Sequence, residues 1–153
     1  MSISQLERND VFLKKILEAP LGQVVTVLGE NLNCKISLDL IEQNTSKPGT
    51  EFERKIVVSA DELPIIRAII KFDRNVLPRY IVNDLLQKRR MIGTILNKNG
   101  IPNEKNIILL NLDQDEKKIH RVYEIRSNGN VLFEISEEIK LDHLDIIRKK
   151  YHI

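Results

Sequence analysis

Apolar positions recur at helical spacing between Asn9 and Glu18, where Phe12, Leu13, Ile16 and Leu17 follow an Asn or Asp able to cap the first turn. Pro20 and Gly22 end that pattern, so one short amphipathic helix is predicted to open the fold. Val24 to Leu28 is rich in β-branched residues. Lys35 to Glu42 alternates Ile36, Leu38 and Leu40 with Ser37, Asp39 and Ile41, and both stretches are read as strands. Gln43 to Thr50, with Ser46, Lys47, Pro48 and Gly49, is read as a loop too short to separate two domains.

Further along, Phe52 to Val58 and Pro64 to Phe72 are predicted antiparallel strands joined by the polar turn Ser59-Ala60-Asp61-Glu62. Pro78 to Lys88 has a helical stripe of Ile81, Leu85 and Leu86, and the cations Lys88, Arg89 and Arg90 stand where a helix C-terminus favours them. A short element spans Met91 to Leu96. Strands follow at Asn106 to Leu112, His120 to Arg126 and Val131 to Lys140, the last two joined by the hairpin signal Ser127-Asn128-Gly129-Asn130. Asp142 to Tyr151 reads as a final helix. No internal repeat is visible. The pattern predicts one α+β domain over residues 1–153, an antiparallel sheet of about six or seven strands with a few flanking helices.

Composition narrows the function classes. The 153 residues suit one core. With few aromatics and no Trp, that core is expected to consist of Ile, Leu and Val rather than ring stacks. Lys and Arg (24) nearly balance Asp and Glu (22), giving a net charge of +2, which argues against nucleic acid as a partner. The N-terminal Met-Ser-Ile-Ser-Gln-Leu-Glu-Arg has no basic start and apolar run of a secretory signal, and no stretch is apolar enough for a membrane span. A cytoplasmic protein without membrane contact, a monomer or small homo-oligomer, is expected. Cys34 stands alone, so no intrachain disulfide or thiolate metal site is expected, and His120, His143 and His152 show no metal-ligand spacing.

Strand parity singles out two inward charges. Along Val131 to Ile139, Glu137 shares a face with Phe133, Ile135 and Ile139. A carboxyl there is either solvated at a sheet rim or held in an apolar cavity, where desolvation suits it to general acid work. Arg54 shares a face with Phe52, Ile56 and Val58; it either snorkels to water or binds a carboxylate ligand. Together they suit a small anionic ligand. No phosphate-binding glycine loop, GxSxG elbow or cysteine nucleophile signature is present.

Taken in order, several segments resemble the chorismate pyruvate-lyase family, in its divergent archaeal, plastid and actinobacterial branch. Phe52-Glu-Arg54-Lys-Ile-Val-Val58 followed by Pro64 is similar to the family's aromatic-x-Arg strand and its Pro-started partner. Met91-Ile92-Gly93-Thr-Ile-Leu96 resembles its Pro-Leu/Ile-Gly-x-x-Leu segment. His120-Arg121-Val-Tyr-Glu-Ile125, an Asn-Gly turn and Val131 to Leu141 resemble its terminal hairpin, and Phe12 to Glu18 its first helix. The resemblance implies a chorismate lyase-like fold and cofactor-free elimination of pyruvate from chorismate to give 4-hydroxybenzoate. Arg54 then matches the family's carboxylate-binding arginine. Glu137 matches its general acid or base, with Glu138 or Glu134 as alternatives if the hairpin register shifts.

By the same resemblance Arg121 matches a family arginine, and Ile92, Gly93 and Leu13 match positions that contact the bound aromatic acid. A second family arginine falls on Ile69, or on Arg67 if two residues are skipped. The same architecture also resembles the effector-binding domains of certain bacterial transcription regulators, which makes a non-catalytic sensor of small aromatic acids the alternative reading. A third is a plain interaction domain in which Arg54 and Glu137 pair with each other.

Overall fold

The computed structural model describes residues 2–45 and 49–152. Ser2 starts the chain's first helix, α1 (Ile3–Asn9): its Oγ accepts from the Gln5 amide, and its own amide donates to Gln5 Oε1. Such a reciprocal capping box satisfies two otherwise orphaned amides and needs only the spacing Ser-x-x-Gln. Asp10 caps α2 (Val11–Glu18) by accepting from the Leu13 amide at 3.1 Å. The predicted helix over Asn9 to Glu18 is α2, and α1 is a further helix ahead of it that the apolar pattern did not mark.

The segment predicted as a strand at Val24 to Leu28 is instead helix α3 (Val24–Asn31). Valine's β-propensity is a weak preference, and packing overrides it here. Val24, Val25, Leu28 and Leu32 fall at helical spacing, and Leu28 and Leu32 are fully buried against α2 and the sheet.

β1 (Ile36–Thr45) runs further than expected, into the predicted loop, and buries Gln43; Ser46, Lys47 and Pro48 lie outside the described residues. It continues into β2 (Glu51–Ala60) and β3 (Leu63–Asp73). Helices α4 (Arg79–Leu86) and α5 (Ile92–Lys98) follow, then β4 (Glu104–Asp113), β5 (Lys118–Ser127), β6 (Asn130–Lys140) and α6 (Leu141–Lys150). The tight turns between β2 and β3 and between β5 and β6 place Asp61 and Glu62, and Asn128 and Gly129, at positive φ, the mirror-image turn that matches strand twist.

The strands form one antiparallel sheet of six in the order β1-β2-β3-β6-β5-β4. Two helices and a three-stranded meander (α2, α3, β1 to β3) are thus followed by two helices and a second meander, and the meanders join through β3 and β6. The sequence carries no internal repeat to match this topology beyond the short likeness of Pro20-Leu21-Gly22 to Met91-Ile92-Gly93.

Inward side chains of the sheet make two apolar clusters. Ile81, Leu85, Ile95 and Leu96 of α4 and α5 pack on Ile70, Phe72, Ile125 and Phe133; Leu13, Ile16, Leu28, Leu144 and Ile147 of α2, α3 and α6 pack on Val58, Ile66, Ile119 and Ile139. Aliphatic residues dominate both, as the composition implied. One ring cluster exists all the same: Phe52 stacks on Phe72 at 5.2 Å, and Phe133 meets Phe72 edge-on at 5.9 Å.

Candidate functional site

Cross-strand register places Glu137 at the centre of the sheet. It lies opposite Ala68 on β3 and opposite Arg121 on β5, on the face covered by helices. Glu138 and Glu134 pair with Arg67 and Lys71 on β3 and point to the other face, because side chains alternate along a strand. Arg67, expected as a ligand-binding residue if the family arginine is shifted, is therefore on the wrong face of the sheet. Ile69 lies opposite Ser136 on that same outer face.

Glu137 is 5% exposed, and both of its oxygens are engaged. Oε1 accepts from Arg121 Nε at 2.7 Å, and Oε2 accepts from the Tyr123 hydroxyl at 3.0 Å. The carboxylate is thus neither solvated at a sheet rim nor isolated among aliphatic side chains, the two possibilities that parity left open, but paired with a charge. Arg121 is 1% exposed and also donates through Nη1 to the Leu17 carbonyl at the end of α2 (2.8 Å). Its Nη2 is buried without a partner among the described residues. Burial, reinforced by the neighbouring carboxylate, pushes the Tyr123 hydroxyl well above its ordinary range, so it stays a donor.

Lys105, which the sequence reading passed over, completes the cluster. It shares the inner face of β4 with Ile107 and donates from Nζ to the Ala19 carbonyl at 2.8 Å. Its ammonium also sits 4.7 Å from the centre of the Tyr123 ring, and the Arg121 guanidinium 5.0 Å from it. Burial pushes its pKa down to about 8, with Arg121 adding to the effect and Glu137 opposing it.

These groups border a cavity of about 380 Å³. Glu137, Tyr123 and Lys105 line its polar side, while Ile56, Val58, Ile66, Ala68, Ile70 and Ile135 form an aliphatic floor. Its roof is made by two segments, Pro20-Leu21-Gly22 between α2 and α3 and Met91-Ile92-Gly93 at the start of α5. They touch at their glycines. A Cβ on Gly93 would stand 2.7 Å from Gly22 Cα and 2.9 Å from Gly22 N, and Gly22 itself has φ +84°. Neither backbone atom can yield as a side-chain tip would. Gly93→Ala is therefore expected to lower unfolding stability by about 1–3 kcal/mol in urea titration and to loosen the roof, despite alanine's better helix propensity.

Of the residues singled out by sequence, Glu137, Ile92 and Gly93 line the cavity, and Arg121 holds Glu137 from behind. Leu13 does not reach it; its amide is spent on the Asp10 cap and its side chain lies within the α2 cluster. Arg54 is also elsewhere. It is fully buried one row further along, where Nε donates to Gln43 Oε1 (2.8 Å), Nη1 to the Arg90 carbonyl (2.8 Å) and Nη2 to the Leu85 carbonyl (3.0 Å). Gln43 also donates to Leu85 O at 3.1 Å. Arg54 thus closes off the C-terminus of α4 and the link to α5, much as Arg121 meets the end of α2. Burial pushes its guanidinium down to about 10, with Asp84 opposing. It forms no pair with Glu137.

Two signals for this site were present in the sequence. Tyr123 has the same parity as Arg121 on the predicted strand, and Pro20-Leu21-Gly22 echoes Met91-Ile92-Gly93. Lys105 left none, because it lies just before the expected start of its strand. His120 meets Ser136 on the outer face and His143 meets the Pro64 carbonyl, and among the described residues no three metal-binding side chains converge. No helix among them is long and apolar enough to cross a membrane.

No protein-family model matches the sequence, and neither does any curated protein. Solved structures do match it. PhnF from Mycobacterium smegmatis aligns with a TM-score of 0.55 at 10% identity, over 82% of this chain and 66% of that one. The effector domain of PhnF from the same organism gives 0.48 at 11% identity over 80% and 92%. A transcriptional regulator of the GntR family from Bacillus cereus gives 0.47 at 11% identity over 70% and 92%. At this identity the likeness is one of architecture: the chain has the α+β, chorismate lyase-like fold, a six-stranded antiparallel sheet with helices on one face, that it shares with PhnF.

Proposed function

We propose that this chain binds a small, flat organic acid of the 4-hydroxybenzoate type, as a non-catalytic sensor-like domain. The observation that carries this reading is the preformed polar wall of the cavity. Arg121, Glu137 and Tyr123 hold one another in place, and Lys105 adds a second cation to a single carboxylate, within an otherwise aliphatic chamber. A ligand site of this kind, mostly apolar with a few fixed polar groups, orients a small molecule without moving the protein.

Chorismate pyruvate-lyase activity is the second reading, and one observation favours it. A carboxylate and a phenol, Glu137 and Tyr123, border the cavity within hydrogen-bond reach of each other, as a proton-transferring pair would. Binding ranks first for two reasons. Both Glu137 oxygens already have donors, and Arg54, which the lyase resemblance uses to hold a substrate carboxylate, has every nitrogen committed to a protein acceptor.

The test is to titrate purified protein with 4-hydroxybenzoate by calorimetry. In parallel it is incubated with chorismate, and pyruvate and 4-hydroxybenzoate are followed together. Saturable binding without product release is the expected result. Equal release of both products, lost in Glu137→Gln, would replace it with the lyase; neither binding nor release would sink both readings.

A further inference from the structure

We infer that Lys105 is the seat of the ligand's anionic group, and that the cavity is therefore built for monoanions in preference to neutral molecules and dianions. This rests on the proposal that the cavity binds an organic acid, and it deepens that proposal by naming the charge of the ligand and the residue that reads it.

Uncommitted donors and unmatched charge single out Lys105. Glu137 is matched by Arg121, so this pair contributes no net charge to a ligand. Lys105 has no carboxylate partner of its own: its described contacts are the Ala19 carbonyl and the Tyr123 ring. An ammonium has three hydrogens to donate, so two remain after Ala19. Lys105 lines the cavity beside Tyr123, and the segments over it, 19–26 and 91–94, contain no titratable side chain. Half-buried and facing this space, the cation gains most from an anion that replaces its lost hydration.

Arg121 Nη2, buried and unpaired, is a further donor on the same wall of the fold but adds no uncompensated charge. One net cation matches one carboxylate. A second carboxylate would enter an aliphatic chamber without a counter-charge and meet Glu137 besides, a desolvation that binding does not repay. Lys105 is thus a specificity residue. Nothing in the sequence pattern marks it, because cation and cavity meet only when β4 docks beside β5.

The experiment is calorimetric titration at pH 7 with 4-hydroxybenzoate, its uncharged analogue 4-hydroxybenzamide and the dianion 4-hydroxyisophthalate. Each is run on wild type, Lys105→Met and Lys105→Gln, with folding checked by thermal melts. Wild type should prefer the monoanion to the amide and to the dianion by at least about tenfold, the low end of what a hydrogen bond to a charged group contributes. Lys105→Met should lose that preference over the amide. Lys105→Gln, which keeps a donor for Ala19, should lose it too, and carries the comparison if Lys105→Met does not fold.

Acid binding unchanged in the folded variants, or equal affinity of wild type for all three compounds, would overturn the inference while leaving the binding reading intact. Failure of wild type to bind any of the three would overturn the binding reading itself, and this inference with it.

Discussion

Arg121→Met is expected to lower the free energy of unfolding by about 3–5 kcal/mol, measured by urea denaturation, because it strands the buried Glu137 carboxylate without its cation. The variant also removes a donor from the Leu17 carbonyl, loosening the end of α2. Arg121→Met combined with Glu137→Leu should return to within about 2 kcal/mol of wild type, since a buried ion pair gains little over well-packed apolar residues of similar size. That non-additivity is the signature of a single coupled unit. A double variant as unstable as the sum of the singles would mean that Arg121 supports the fold mainly through Leu17. The double variant should also fail to bind the acid even where it folds, which separates the stability of this cluster from its use.

The second large effect is at Arg54. Arg54→Ala should destabilise the protein by about 3–5 kcal/mol, combining a cavity in the core with the loss of a donor from three acceptors, of which Leu85 O keeps Gln43. Acid affinity of the folded fraction should stay within about threefold of wild type, less than 1 kcal/mol, because Arg54 does not line the cavity. Titration with 4-hydroxybenzoate at low temperature, where the variant is folded, distinguishes this from the role that the lyase resemblance assigns. Loss of binding without loss of stability would make Arg54 the carboxylate anchor after all. The neighbouring Asp84, whose Oδ1 is buried without a partner among the described residues while Oδ2 meets Arg90 at 3.1 Å, contributes to the same junction.

Both arginines illustrate what parity can and cannot say. Alternation along the strands puts Arg54 and Glu137 on the inner face, and there they are. It does not say which of the inward polar groups will meet. Arg54 lies opposite Ile70, whose partner on β6 is Ile135, so its row across the sheet contains no carboxylate; Glu137 lies one row away, beside Arg121. A third reading of the sequence, in which Arg54 and Glu137 pair, fails for that reason. The outer position of Arg67 is equally a matter of parity, since a shift by one residue exchanges faces.

The features legible in the amino-acid order are local and periodic. Period-two patterns located all six strands from Ile36 to Lys140, missing only the far end of β1 and the start of β4, and turn residues located both tight hairpins. Helical stripes located α2 and α4, and the strand-rich pattern with few helices implied an α+β sheet. These follow from side-chain alternation and backbone sterics, which act over a few residues.

The remaining features arise from contacts between distant parts of the chain. Val24 to Leu28 became a helix because burial of Leu28 outweighs the preference of valine for strands. The order in which β3 meets β6 brought Ala68, Glu137 and Arg121 into one row, and the contact of Gly22 with Gly93 roofed the space beside them. The docking of β4 brought Lys105 to Tyr123 and Ala19, 86 residues away in the chain. Such juxtapositions join residues far apart in sequence, and their energies come from packing and desolvation that no local pattern encodes.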